Sequence, residues 1–404
     1  MPTVAASPPG YPPSVTTAAN RIAPGELRLP AATAAAFPPS RAAALARLAD
    51  VDPGAYARTR NHLRGAVTRL SPYLTHGLLS VPDVVAAVGD AGKLAQELAW
   101  REFFQLVHAR EGAGILRDRF RRQPRLAPGA GPRRLPRALV EGRTGIEALD
   151  AAVRSLVDTG YVHNHARMWL AATACHLAGA DWRAGAAWFQ FHLLDGDLAS
   201  NALSWQWVAG SGSAKPYLAD QANLNRFADT RQAGTFLDRP RDDLLAGPVP
   251  GDLRDGVELE LPTTLPDLPP PALDPRRSAL IHHPWGLDPT WRADEDADRW
   301  LLLEPAFFVR HPWSPMRLAW LLAAAASIPG LRVAVGDARE VLAPRVAAAR
   351  RGDAAPVRHR AHPAVAHWPG PRDPLPTSFA HRWVADAAPR SFSAFWRAVA
   401  PRGP

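Results

Sequence analysis

Apolar residues recur every three or four positions through most of the first 230 residues, the spacing of helices with one buried face. The segments SRAAALARLA (40–49), VPDVVAAVGDAGKLAQELAWREFFQLVHAR (81–110) and TGIEALDAAVRSLVDTG (144–160) all show it. Between them, RFRRQPRLAPGAGPRRLPRAL (119–139) reads as a basic, Pro-rich loop. Residues 1–40 are rich in Pro, Ala and Thr and read as a flexible or loosely docked tail. Segment 239–290 carries eleven prolines and little periodicity, which predicts a linker or an extended wrap over a surface. Past it, RWLLLEP (299–305), SPMRLAWLLAAAASIPG (314–330) and LRVAVGD (331–337) read as strand, helix and strand. That is one βαβ unit and implies a small parallel sheet. The final RSFSAFWRAVA (390–400) reads as a terminal amphipathic helix. The expected organisation is therefore mainly α: a tail (1–40), a helical domain (41–238), a Pro-rich linker (239–295) and a small α/β segment (296–404).

Composition narrows the class. The 404 residues are 47% hydrophobic, enough for a sizeable core, and no apolar run reaches the roughly 18–20 residues of a membrane span. MPTVAASPPGYPPSV lacks the basic start and apolar stretch of a signal peptide, so a cytoplasmic location is expected. Cys175 is the only cysteine, which excludes an internal disulfide and any cysteine-ligated cluster or zinc site. It sits in the apolar run ATACHLAG and reads as inert core. Formal net charge is +9, and every basic residue except Lys93 and Lys215 is Arg. A basic balance suits a polyanionic partner, but a base-composition bias toward Arg, Ala and Pro explains it equally well.

The candidate chemistry is concentrated. Asp195, Asp197, Asn201, Trp205 and Trp207 fall within 13 residues of LLDGDLASNALSWQWVAGSG (193–212). Acids, an amide and two indoles at that density are hard to explain by packing. A lone DGD is usually a solvated turn, but here the flanks LL and LA are apolar and argue for burial. A buried carboxylate needs a partner. Upstream, Thr68 and Ser71 flank Arg69 and Leu70 just before Pro72; hydroxyls at an element start offer side-chain and amide donors to phosphate. Taken alone, Ser71-Pro72 is an ordinary helix start. Glu97, Trp100 and Arg101 share one helix face by their i, i+3, i+4 spacing, as do Asn164 and Met168, with Arg167 between them.

These motifs in this order, TRLSPYLTHGLLS (68–80), ELAWREFF (97–104), GYVHNHARMWLAA (160–172) and LLDGDLASNALSWQWVAGSG, resemble the flavin-binding helical domain of the photolyase/cryptochrome family over roughly residues 50–220. The resemblance implies FAD as cofactor. It assigns Tyr56, Thr68, Arg69, Leu70 and Ser71 to the phosphate end, and Arg167, Asp195, Gly196, Asp197 and Asn201 to the ring, with Arg167 pairing Asp195. Asn201 falls where the family faces flavin N5. Photolyases usually keep Asn there, whereas plant cryptochromes usually carry Asp. On the substrate side the resemblance assigns Glu97, Trp100, Arg101, Asn164, Met168 and Trp207 to a flipped-out pyrimidine dimer in DNA. Enzymes for (6-4) photoproducts carry His where Asn164 and Met168 stand, so the chain resembles the cyclobutane-dimer type.

Several departures matter. Tyr161 replaces the usual Trp of the GWMHN motif, and His165 stands where the family often has Arg, weakening a phosphate contact. Trp205 and Trp182 match the inner two indoles of the electron relay, but residues 101–168 contain no Trp to serve as the third. About fifty residues precede the helical domain, whereas a typical photolyase begins with an α/β domain of well over a hundred residues that can hold an antenna chromophore, so the resemblance does not decide whether an antenna pigment is present. The functional expectation is a monomeric, metal-free lyase. Reduced flavin passes one electron to a cyclobutane dimer and recovers it after ring opening; Glu97, Asn164, Trp205 and Trp182 are the catalytic candidates. A cryptochrome-like light or redox sensor is the principal alternative, and a flavoprotein whose C-terminal half caps the pocket is a third.

Overall fold

The structure, a computed structural model, describes residues 20–23, 25–213, 215–385 and 388–401. It is mainly helical, with helices filling the chain between Ala31 and Ala246 and a parallel sheet in the C-terminal part. The part of the expected tail before residue 20 lies outside the described residues. From there Asn20–Ile22 (β1) and a helix at Ala31–Ala36 are ordered elements within the expected tail. The remaining strands are Arg134–Pro136 (β2), Gly256–Glu258 (β3), Thr264–Pro266 (β4), Ser278–His282 (β5), Ala297–Leu303 (β6), Leu331–Val335 (β7), Val357–Arg360 (β8) and Arg372–Asp373 (β9). No described helix is long and apolar enough to cross a membrane.

Helix starts follow local chemistry. Ser80 and Asp83 form a reciprocal capping box, and Asp52, Asp197, Asp220 and Asp337 each accept backbone N–H groups of the turn they open. The long helix Gly92–Glu111 carries the ELAWREFF motif, and Leu198–Ala209 carries the paired indoles.

The C-terminal sheet is larger than one βαβ unit. Its five strands are all parallel, in the order β7-β6-β5-β8-β9. The first strand, β5, falls inside the segment expected to be linker. Its sequence SALIH is a short apolar run buried on both faces, which carries no alternation to mark a strand. The same segment holds β3 and β4, which pair with β2 and β1, so these prolines belong to a chain stitched onto the helical part. The α/β region and the helical region also share a core. One apolar cluster runs from Phe37, Tyr73 and Phe103 through Trp313 and Trp320 to Leu301 and Val335, whereas a second fills the helices between Leu135 and Leu259.

In an open parallel sheet a ligand usually sits beyond the strand carboxyl ends where strand order reverses, here between β5 and β8. In this chain that crevice is filled. Trp285 lies flat on His362, ring centroids 4.8 Å apart and planes within 4°, and His283 packs beside them. The filled end docks on the helical part through His76, whose Nδ1 and Nε2 lie 2.6 and 2.8 Å from the Pro284 and Leu194 carbonyls, the neutral ring donating its single N–H to one of them. Gly77, left-handed at φ 76°, closes the same helix against the Trp285 carbonyl, where a Cβ would sit 3.1 Å from the oxygen.

Burial pulls His76 and His282 down to about 4 and holds His283 and His362 well below 6.5. These rings take up protons near 6.5 when unfolded but only near 4 or below when folded. The stability they contribute is therefore complete above pH 6.5 and is lost as pH falls toward 4. For His76 alone the gap corresponds to roughly 3 kcal/mol. Thermal unfolding between pH 8 and 4.5 should show a level Tm down to about 6.5 and a steep fall below it. A Tm unchanged at pH 5 would contradict the neutral-histidine interface.

Candidate flavin and substrate cavity

A cavity of about 920 Å³ opens among the turn before Ser71, the Gly92–Glu111 and Asn164–Ala172 helices, and Leu198–Ala209. That is at the upper end of the ~300–1,000 Å³ typical of ligand and cofactor sites. Thr68, Arg69 and Ser71 line one part of it, and Tyr56 stands beside them. Arg69 is held in the left-handed region at φ 49°, a conformation costly for a residue with a side chain and concentrated at functional turns. The strain turns the chain so that residues 68, 69 and 71 all face the opening, whereas the Leu70 side chain points into the core at 1% exposure. Leu70 takes part through its backbone: its N–H donates to Thr68 Oγ1 at 3.4 Å.

Arg167 reaches the buried Asp195 carboxylate with one nitrogen, 3.0 and 2.8 Å from its two oxygens, while its Nε donates to the Val162 carbonyl. Burial pushes the Asp195 carboxyl up, but Arg167, Ser71 and Arg101 outweigh it and hold it below the usual carboxylate value. Arg101 lies alongside and donates to the Ser71 carbonyl and to Thr75 Oγ1. Asn201 donates from Nδ2 to the Ala186 carbonyl at 2.7 Å, which leaves Oδ1 as the atom free to accept from a ligand. The Trp205 indole closes the cavity floor over Gly185, where a Cβ would lie 2.1 Å from the ring.

The expected substrate residues converge on the same space. Glu97, Trp100, Arg101, Asn164, Met168 and Trp207 all line it. Two details alter their roles. Glu97 is engaged by Lys93 at 2.8 Å and Arg60 at 3.8 Å, so a base must compete for its carboxylate. Trp100 is not open: Phe392 of the terminal helix lies flat on it, centroids 3.8 Å apart and planes within 10°. Trp207 remains 41% exposed beside Tyr217.

Four assigned residues stand elsewhere. With Leu70 in the core, Gly196 and Asp197 also face away from the opening. The Asp197 carboxylate accepts from the Ser200 N–H and from Gln105 Nε2, both at 2.7 Å, and so caps the helix that carries Asn201. Arg317 packs against Gly196, where a Cβ would lie 2.6 Å from Nη1. Trp182 is fully buried, its Nε1 donating to Asp118 at 2.7 Å and its ring lying under the Arg183 guanidinium. His165 is packed between Trp169 and Phe227, with Nδ1 2.8 Å from the Asn61 carbonyl and Nε2 facing Tyr217. It is a core residue rather than a phosphate contact. Sequence reasoning missed Arg390, Ser391, Phe392 and Ser393, which line the cavity from the far end of the chain. The amphipathic pattern of that helix was visible, but its docking partner was not.

Part of the chain is similar to known proteins. Residues 94–238 match the FAD binding domain of DNA photolyase. A deoxyribodipyrimidine photo-lyase of Streptomyces griseus is 39% identical over 153 residues, 37% of this chain and 33% of the relative. A cryptochrome DASH of Natronomonas pharaonis is 34% identical over 197 residues, 45% of this chain and 41% of the relative. The archaeal photolyase of Sulfolobus tokodaii, solved with two FAD molecules, superposes with a TM-score of 0.43 at 26% identity, covering 54% of this chain and 53% of its own. The chain spans less than half the length of the first two relatives. Its helical part is similar to the FAD-binding domain of the photolyase/cryptochrome family. Its cofactor is FAD, carried by the matched helical domain.

The donor set fits that group. Thr68, Arg69 and Ser71 offer donors for a pyrophosphate, and Asn201 Oδ1 and the Arg167–Asp195 pair offer polar contacts for a ring. Ser200 Oγ and Trp205 Nε1, both on cavity-lining residues, are buried without a partner among the described residues. Gly185→Ala tests the floor. The added methyl should displace the Trp205 indole, lower stability by about 1–3 kcal/mol and reduce flavin retention, read by thermal unfolding and absorption of FAD-reconstituted protein. Unchanged stability and flavin content would contradict the Gly185–Trp205 contact.

Proposed function

We propose that the protein is a light-driven lyase that repairs cyclobutane pyrimidine dimers in DNA. The observation that carries the reading is convergence: the dimer-contact candidates Trp100, Asn164, Met168 and Trp207 line the same cavity as Ser71, Arg167, Asp195 and Asn201. When bound, FAD supplies light absorption and one-electron transfer. The chain's own groups position and tune. Arg167 and Arg101 hold positive charge beside the ring site, Asn201 presents a neutral acceptor that releases no proton, and the buried walls exclude water. Arg390 also lines the cavity, and a guanidinium there suits a phosphate backbone.

One observation favours the sensor alternative. Phe392 occupies the face of Trp100 that a base would use. The two readings separate in one assay, light-dependent repair of a thymine-dimer oligonucleotide by dithionite-reduced protein, with Phe392→Ala alongside. Repair by the parent chain supports the lyase, and Phe392→Ala should then repair at least as fast. Absence of repair by both would leave the sensor.

Trp207→Ala is the cleaner binding probe, because this indole is exposed and supports little else. It should weaken binding to dimer-containing DNA by roughly 1–3 kcal/mol, the scale of a lost base–aromatic stack, with flavin content and Tm unchanged. Binding equal to the parent in a titration with dimer-containing oligonucleotide would remove Trp207 from the substrate site.

A further inference from the structure

Arg317 belongs to the Pro315–Ala326 helix of the α/β region, well beyond residue 238 where the matched FAD domain ends, and is wholly buried. Its side chain crosses into the helical part and passes behind the Asp195–Asp197 turn. One nitrogen donates to the Gly196 carbonyl at 2.6 Å, and the other donates to the Gln190 carbonyl. The guanidinium plane rests on Trp313, its carbon 3.4 Å from the ring centroid. Only a planar fork holds two carbonyls from separate segments while stacking on an indole.

The charge is as notable as the geometry. Among the described residues Arg317 has no carboxylate within ion-pair distance, so its buried charge is offset by carbonyl dipoles, the indole face and the more distant Asp195 and Asp197. Burial lowers it to about 9, which still leaves it charged at neutral pH. Arg101 likewise bonds a carbonyl and a hydroxyl instead of an acid. Around the turn, three guanidiniums, Arg101, Arg167 and Arg317, face two carboxylates, Asp195 and Asp197. The local balance is positive, with little water to screen it.

We propose that Arg317 is a positioning residue of the flavin site: it braces the Asp195–Asp197 turn from behind and lends it an unpaired buried positive charge that favours the reduced, anionic flavin. This rests on the flavin reading of the cavity. It makes the α/β region part of the redox site, and a side chain at position 196 would have to displace the guanidinium.

The test uses the full chain reconstituted with FAD: parent, Arg317→Met and Arg317→Lys. Flavin midpoint potential is read by spectroelectrochemical titration, FAD affinity by fluorescence, and fold by circular dichroism. Arg317→Met should shift the potential to more negative values and weaken FAD binding several-fold. Arg317→Lys keeps the charge but not the fork, so it should hold a potential near that of the parent while still losing affinity. Arg317→Met with bound FAD at the parent potential would overturn the charge role, and parent-like affinity in both variants would overturn the bracing role. Where Arg317→Met fails to fold or to hold FAD, Arg317→Lys decides: a parent-like potential with weakened binding supports the proposal, and a potential displaced negatively overturns it. Parent protein that takes up no FAD overturns the flavin reading itself, and its absorption spectrum reveals that before any variant is compared.

Discussion

Two carboxylates removed from water, Asp195 and Asp197, impose the main constraint on this molecule. A buried charge without compensation costs several kcal/mol, and each segment around the turn answers part of that demand. Arg167 and Ser71 take the Asp195 oxygens, the first turn of the Leu198–Ala209 helix and Gln105 take those of Asp197, and Arg317 takes the carbonyl of the glycine between them. The partners come from different parts of the chain. Compensating the turn therefore brings together the helix after Leu70, the two motif-bearing helices and the α/β region, and the cavity lies among most of them.

That dependence explains what the sequence could and could not reveal. Residues that line the cavity were legible because their types are unusual for their surroundings: acids within apolar flanks, indoles beside a Glu, hydroxyls around an Arg-Leu pair. Asn201, Arg167 and the phosphate-turn residues fall on the cavity for that reason. Gly196 and Asp197 were legible as a motif but not in their roles, since nothing local shows that one packs on Arg317 and the other caps a helix. Long-range partners were invisible. Arg317 lies in PMRLAWLLAAAA, where one Arg in an apolar helix gives no hint of its destination 121 positions earlier.

The α/β region was underestimated for a different reason. Buried parallel strands read as short apolar runs, and SALIH is shorter than most and set among prolines. VRHR in β8 places a His inward, where it packs edge-on to Trp368. The rings at the sheet's carboxyl end gather only after folding. They fill the crevice between β5 and β8 and turn it into a docking face for the helix that begins at Ser71. The region after β9 then runs back over the Gly92–Glu111 helix, held where the Glu102 carboxylate accepts the N–H groups of Ser378, Phe379 and Ala380 at 2.7, 2.9 and 2.6 Å. From that anchor the terminal helix Phe392–Val399 reaches the cavity mouth and sets Phe392 on Trp100.

One cavity is built jointly by the FAD-binding helices and by the C-terminal part of the chain. Hydrogen–deuterium exchange of the full-length protein with and without FAD tests it most directly. FAD should slow exchange in the Asp195–Trp207 segment and also in residues 315–320 and 390–396, which follow it in sequence by more than a hundred positions. Protection confined to the helices between Tyr56 and Trp207, with the C-terminal segments exchanging as they do without FAD, would contradict it.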